Sequence, residues 1–305
     1  MNPRLRAKIR AMSLRRSTYL NRDGMRLAAS VGGEPQQPAV ILLHGGGQTR
    51  HSWAGTVRRL VALGYHVLSL DARGHGESDW SATGQYSLDA LADDLIDVAA
   101  GLPTLPTLIG ASMGGITAMY AIGRAAAAVA RALVLVDVVP RNNPAGVARI
   151  LAFMRSHPHG FATLENAAAA VAAYNPARRE QTDVSGLMKN LRRRDDNRLY
   201  WHWDPRLVDR NNLGAPERYA ERTLALCRNI RVPTLLVRGM QSDVVAADGI
   251  DELRQCVPQL ELFDVEAAGH MIAGDRNDIF NDGILDFLAR QHSAGHGPMA
   301  PPCSN

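Results

Sequence analysis

At 305 residues the chain can form one large domain or two modest ones. Its 46% hydrophobic against 21% charged content, with Gly and Pro scattered, excludes disorder, collagen and coiled coil. The net charge of +4 resides in Arg4, Arg6, Lys8, Arg10, Arg15 and Arg16, which stand together without an acid and leave the rest of the chain at −2. No phosphate-neutralising face, and so no nucleic-acid partner, is expected.

In chain order, the basic leader over residues 1–14 is expected to be a solvated tail. Two alternating segments over residues 15–31 flank Asn21-Arg22-Asp23-Gly24 and read as a β-hairpin, the Asp-Gly pair favouring the positive φ of a tight turn. Residues 38–43 form an apolar run without polar alternation, as in a strand buried on both faces of a parallel sheet, and His44-Gly45-Gly46-Gly47 ends it. The cycle then repeats, with helices predicted over 52–63, 87–102 and 113–125 and strands over 66–70, 105–109 and 132–138. Strands over 232–237 and 260–265 and a helix over 278–290 close the pattern. Alternating β and α elements predict an α/β fold with a parallel sheet covered on both faces.

One long piece breaks the rhythm. Between Val139 and Asn229 there is no strand-like apolar run, only Ala- and Arg-rich segments punctuated by prolines. The chain therefore divides into a core of residues 15–138 and 230–292, a helical insertion over 139–229 and a disordered tail over 293–305. Part of the ring cluster Tyr200-Trp201-His202-Trp203 is expected to line a cavity. Cys227, Cys256 and Cys303, an odd count without C-x-x-C spacing, read as reduced thiols. With no signal-peptide core and no apolar run long enough to cross a bilayer, a soluble, cytoplasmic protein without a membrane partner is expected.

The sharpest local signal is Gly110-Ala111-Ser112-Met113-Gly114-Gly115, a G-x-S-x-G match lying between a predicted strand and a predicted helix. That turn strains the serine and exposes its hydroxyl at a helix N-terminus, and the glycines leave room for the close approach. A serine hydroxyl needs a base, itself held by a carboxylate. His270, in the loop after the last predicted strand, fits the base, and Asp243, just beyond the strand over 232–237, fits the acid. Asp137, ending the strand over 132–138, is the competing acid, with a structural hydrogen bond at the base of the insertion as its other reading. His44, His51 and His75 lie in loops at the same sheet edge and could line the site, whereas His292 and His296 lack the Glu of a zinc-protease helix. Backbone amides of Met113 and Gly46, with Gly47 in reserve, are the candidate oxyanion donors.

The order Ser112, Asp243, His270, each after a strand, resembles the α/β-hydrolase superfamily from about Arg15 to Arg290. Asp71-Ala-Arg-Gly-His-Gly-Glu-Ser78 is similar to the D-x-R-G-x-G-x-S loop of its lipase, esterase and perhydrolase-like branch. The resemblance implies a mostly parallel eight-stranded sheet flanked by helices, a helical cap inserted after the sixth strand, and Trp53, Trp201 and Trp203 as substrate-pocket walls. It also implies a small-molecule ester or lactone substrate and no metal or organic cofactor. A serine at position 112 disfavours the dehalogenases and epoxide hydrolases, which use aspartate there. Carbon-carbon hydrolases and cofactor-free perhydrolases share the triad, though the former typically carry tryptophan where this chain has Met271. A non-catalytic receptor on the same fold is the reading from another class. A narrower resemblance is to the serine-dependent macrolide esterases, which inactivate antibiotics by opening the lactone ring.

Overall fold

The computed structural model describes residues 14–175, 184–209, 212, 216–266, 268–269 and 277–294. An opening hairpin, β1 (Arg15–Leu20) and β2 (Arg26–Gly32), turns at Gly24 with φ +75°. β3 (Ala39–Leu43) leads through a 3-10 turn at Arg50–Trp53 into α1 (Ala54–Ala62), and β4 (His66–Leu70) leads to α2 (Leu88–Ala100). Ser87 caps α2, its hydroxyl accepting from the Ala90 amide at 3.3 Å. β5 (Thr107–Ala111), α3 (Met113–Arg124) and β6 (Ala132–Val136) complete the first half.

Residues after β6 form α4 (Pro144–Arg155), α5 (Leu164–Tyr174), a ribbon of β7 (Leu191–Arg193) and β8 (Leu199–Trp201), and α6 (Pro216–Cys227). The core then resumes with β9 (Thr234–Gly239), α7 (Ala247–Cys256), β10 (Leu260–Val265) and α8 (Asn277–Ala294). No helix among the described residues is long and apolar enough to cross a membrane.

Eight strands form one sheet in the order β1-β2-β4-β3-β5-β6-β9-β10. Only the β1–β2 and β2–β4 pairings are antiparallel, so the sheet is mostly parallel with its carboxyl edge facing one way. β3, β4 and β6 are buried at every residue, because helices cover both faces; the continuous apolar runs of β3 and β6 satisfy both, and in β4 the buried Ser69 hydroxyl donates to Arg50 O at 2.9 Å. On one face Leu95 and Val98 of α2, Met119 of α3 and Leu253 of α7 form one core cluster. On the other, Val57 and Leu60 of α1 meet Phe280 and Phe287 of α8.

The insertion differs from expectation in two ways. It is not wholly helical: β7 and β8 pair antiparallel, Leu191 with Trp201 and Arg193 with Leu199. Strands of three residues containing Arg192 and Arg193 give no apolar run for a sequence reading to find. Its end also packs elsewhere. The expected boundary at Asn229 places α6 in the cap, yet a Cβ on Gly123 of α3 would meet Leu226 O at 2.5 Å, and the Cys227 thiol lies 3.3 Å from the Met119 sulfur. α6 is part of the core layer by its contacts.

Candidate active site

Ser112 stands between β5 and α3 with φ +46° and ψ −115°, a conformation costing a non-glycine residue about 1–3 kcal/mol. Local sequence makes it attainable. The Ser112 amide donates to Val136 O at 3.1 Å, extending the β5–β6 ladder by one bond, while its carbonyl already accepts from Gly115 and Ile116 of the helix. The chain must reverse within one residue, and three glycines permit it. A Cβ on Gly110 would lie 2.5 Å from the Gly114 backbone, one on Gly114 would collide with Leu43 O, and one on Gly115 would meet Val138 at 2.5 Å.

The loop after β3 passes directly beside this serine, since a Cβ on Gly45 would sit 3.5 Å from Ser112 Cβ. The Gly45 amide donates to Gln48 Oε1 at 3.0 Å and that of Gly47 to His75 Nε2 at 3.2 Å. Gly46 lies between them, half-buried, and its amide has no acceptor among the described residues. Met113 begins α3, so its amide is one of the donors that intrahelical bonding leaves over. Gly46 and Met113 are thus available to an anionic oxygen in a way that Gly47 is not.

The two candidate carboxylates differ sharply. Asp243 is 44% exposed and forms an ion pair at 2.7 Å with Arg149 of α4. Asp137 is 1% exposed and follows β6 with φ +49°. Its Oδ1 accepts from the Gly239 amide at 3.1 Å and its Oδ2 from the Ser242 hydroxyl at 2.5 Å. Gly239 in turn abuts the backbone just before position 270, because a Cβ there would lie 2.5 Å from Ala268 O and 2.7 Å from Gly269 O. His270 itself lies outside the described residues.

The expected pocket walls are placed differently from one another. Trp53 is 1% exposed and packs beneath α1 and α8, its ring 6.0 Å from Phe280; it belongs to the core. Trp201 and Trp203 stack at 5.0 Å and 10° inside a packed cap cluster with Met154 and Phe161. Only Trp203 approaches the site, its Cζ3 lying 3.4 Å from where a Gly47 Cβ would be, beside the Met154 side chain. Met154 contacts both Gly46 and Gly47 in this sense, and no sequence signal marks it, because nothing local says that α4 crosses the glycine loop.

His44 and His75, expected to line the site, are instead buried beneath it, and His202 of the ring cluster joins them. The rings are 5.0 Å (His44–His75) and 5.8 Å (His75–His202) apart. Burial lowers all three pKa values, that of His75 well below the usual range and that of His202 to about 3, with the neighbouring rings adding to the effect in both. Among the described residues no group of three or more His, Cys, Asp or Glu side chains is arranged to hold a metal ion.

Residues 38–276 match the family model described as alpha/beta hydrolase fold. The esterase Rv0045c of Mycobacterium tuberculosis is 30% identical over 263 residues, covering 82% of this chain and 83% of that one. A 3-hydroxybutyrate-oligomer hydrolase of Cupriavidus necator is 28% identical over 257 residues, covering 80% and 87%. Among solved structures, E-2-(acetamidomethylene)succinate hydrolase superposes with a TM-score of 0.78 at 19% identity, over 91% of this chain and 100% of its own, a likeness of fold. With the strand order, the strained serine and these matches together, the chain belongs to the α/β-hydrolase fold family, as one of its hydrolases.

Proposed function

We propose that this protein is a serine-dependent carboxylic ester or lactone hydrolase that works through an acyl-enzyme. Ser112 attacks the carbonyl carbon as His270 takes its proton, and the Gly46 and Met113 amides hold the oxyanion. His270 returns the proton to the leaving alcohol, the acyl-enzyme remains, and His270 then activates the water that releases the acid. The carboxylate that orients His270 is Asp137 rather than the expected Asp243. Burial, two donated hydrogen bonds and proximity to the backbone preceding His270 support Asp137, whereas half-exposure and the pair with Arg149 weigh against Asp243. Arg149 and the aromatic residues Trp201 and Trp203 belong to the cap, which we take to span residues 139–209, and Asp243, beyond β9 of the core, is tied to it through Arg149.

The observation that carries this reading is Ser112 held at positive φ beside a glycine loop whose central amide has no acceptor among the described residues. The finer reading, opening of the macrolactone ring of macrolide antibiotics, is supported by sequence pattern. The Cupriavidus relative adds short oligoesters of hydroxy acids as candidates. Wild type and Ser112→Ala are to be compared on p-nitrophenyl acetate, a 3-hydroxybutyrate dimer and a macrolide lactone, with product masses recorded. Wild type is expected to hydrolyse esters and the variant to lose on the order of 10⁴-fold or more in kcat, with stability within about 1 kcal/mol. Near-normal activity in Ser112→Ala overturns the assignment. No turnover together with no labelling of Ser112 by a fluorophosphonate favours a receptor, and turnover of vinylogous diketones alone favours a carbon-carbon hydrolase.

A further inference from the structure

An oxyanion donor is useful only if its peptide plane is held, and three successive glycines give Gly45–Gly47 little stiffness of their own. In this protein the stiffness comes from outside the loop. The peptide joining Gly45 to Gly46 is held at its carbonyl, which accepts from His44 Nδ1 at 2.8 Å. The next peptide is held at its amide, which donates from Gly47 to His75 Nε2 at 3.2 Å. The third is held at the Gly47 carbonyl, which accepts from His202 Nε2 at 3.3 Å. Three consecutive peptide units are thus secured by three different histidines.

The far side of each ring fixes its tautomer. His44 Nε2 accepts from the Ala72 amide at 3.0 Å and His202 Nδ1 from the Gly76 amide at 2.7 Å, while His75 Nδ1 donates to Arg73 O at 3.2 Å. Each ring therefore accepts one backbone N–H and donates to one backbone carbonyl, which only neutral imidazole can do. His44 and His75 belong to loops of the core sheet. His202 does not: it follows β8, flanked by Trp201 and Trp203 of the cap cluster. Trp203 and Met154 press on the same loop from above.

We propose that His202 is a positioning residue through which the cap sets the geometry of the oxyanion loop, so that the cap takes part in transition-state stabilisation as well as covering the site. This rests on the ester hydrolase reading above. If the cap segment bearing Trp201–Trp203 shifts, the Gly47 carbonyl loses its donor, and the glycine loop that carries the Gly46 amide loses the anchor of its third peptide.

The test uses three variants of the full chain. His202→Gln keeps an acceptor and a donor at similar spacing, His202→Asn can still accept from Gly76 but falls short of Gly47 O, and His202→Phe keeps the ring and removes both bonds. Ester hydrolysis and inhibition by a trifluoromethyl ketone, whose tetrahedral adduct uses the oxyanion donors, are measured for each. His202→Asn and His202→Phe are expected to lose about 10–100-fold in kcat with KM changed less than about threefold, and to lose trifluoromethyl ketone affinity in parallel. His202→Gln is expected to recover most of both. His202→Asn retains the buried bond to Gly76, so it reports even if His202→Phe fails to fold. Wild-type kcat in His202→Asn overturns the proposal, as does a loss confined to KM with ketone affinity unchanged. If wild type is labelled by a fluorophosphonate and hydrolyses esters while the variants match it, this inference alone falls. If wild type does neither, the ester hydrolase reading falls and takes this one with it.

Discussion

Asp137 and Ser112 are the non-glycine residues at positive φ at the carboxyl edge of adjacent strands, β6 and β5. Strain of this kind persists only where the surroundings over-determine it, and at Asp137 the surroundings are the Gly239 amide and the Ser242 hydroxyl. Asp137→Asn preserves shape and much of that bonding while removing the charge that, in the proposed mechanism, holds His270 in its required tautomer, so kcat is expected to fall by about 10³–10⁴-fold. Asp243→Asn breaks a half-exposed pair with Arg149, and a change of less than about tenfold is expected. Steady-state kinetics of the two variants side by side decide the matter, and the reverse ranking returns the role to Asp243. Ser112 is legible in the sequence because its strain is made by neighbours within two positions. The choice between two aspartates is not, because both follow strands at the same edge and only tertiary burial separates them.

The elements around Ser112 leave no room for side chains at Gly110, Gly114 and Gly115. A Cβ on Gly114 of α3 would collide with the carbonyl oxygen of Leu43, the last residue of β3, which is followed at once by the loop that carries Gly46. In Gly114→Ala the new methyl meets backbone, which cannot swing aside as a flexible side chain would. The variant is expected to lose about 1–3 kcal/mol or more of stability, read as a lowered urea midpoint. Its activity should fall further than its folded fraction, because relief comes from moving β3 and the glycine loop away from Ser112. Elements of this kind are readable in advance: β3 and β6 announce themselves as apolar runs, and α3 by its place after the motif. The β7–β8 ribbon is not, since Arg192, Arg193 and Tyr200 carry no alternation and its strands are held by the cap's own packing. Trp53 looks like a pocket wall from the resemblance and proves to be core, because its contact with Phe280 joins segments more than two hundred residues apart in the chain.

At the scale of the molecule, three buried neutral histidines make stability depend on pH. In the unfolded chain each titrates near 6.5, and in the fold burial lowers all three, His202 to about 3. Asp71 opposes the shift at His44 and His202, while Arg50 reinforces it at His44 and Arg192 at His202. Below pH 6.5 the unfolded chain binds protons that the folded chain refuses, so the stabilisation is complete above 6.5 and is lost as pH falls. Each ring contributes a slope of up to about 1.4 kcal/mol per pH unit. Urea unfolding between pH 7.5 and 5 is expected to show this loss, and His202→Gln should flatten it by one ring's share. An unchanged slope in that variant assigns the dependence to other groups.

The long segment between β6 and β9 also matters while the chain is being made. β6 and β9 lie side by side in the finished sheet, yet residues 137–233 separate them along the chain. While those residues are being synthesised, the Ala132–Val136 strand has β5 on one side and an open, wholly apolar edge on the other. Such an edge is a template for any other strand that reaches it first. Each residue added between β6 and β9 therefore lengthens the interval in which a nascent chain can pair with a neighbour instead of with itself.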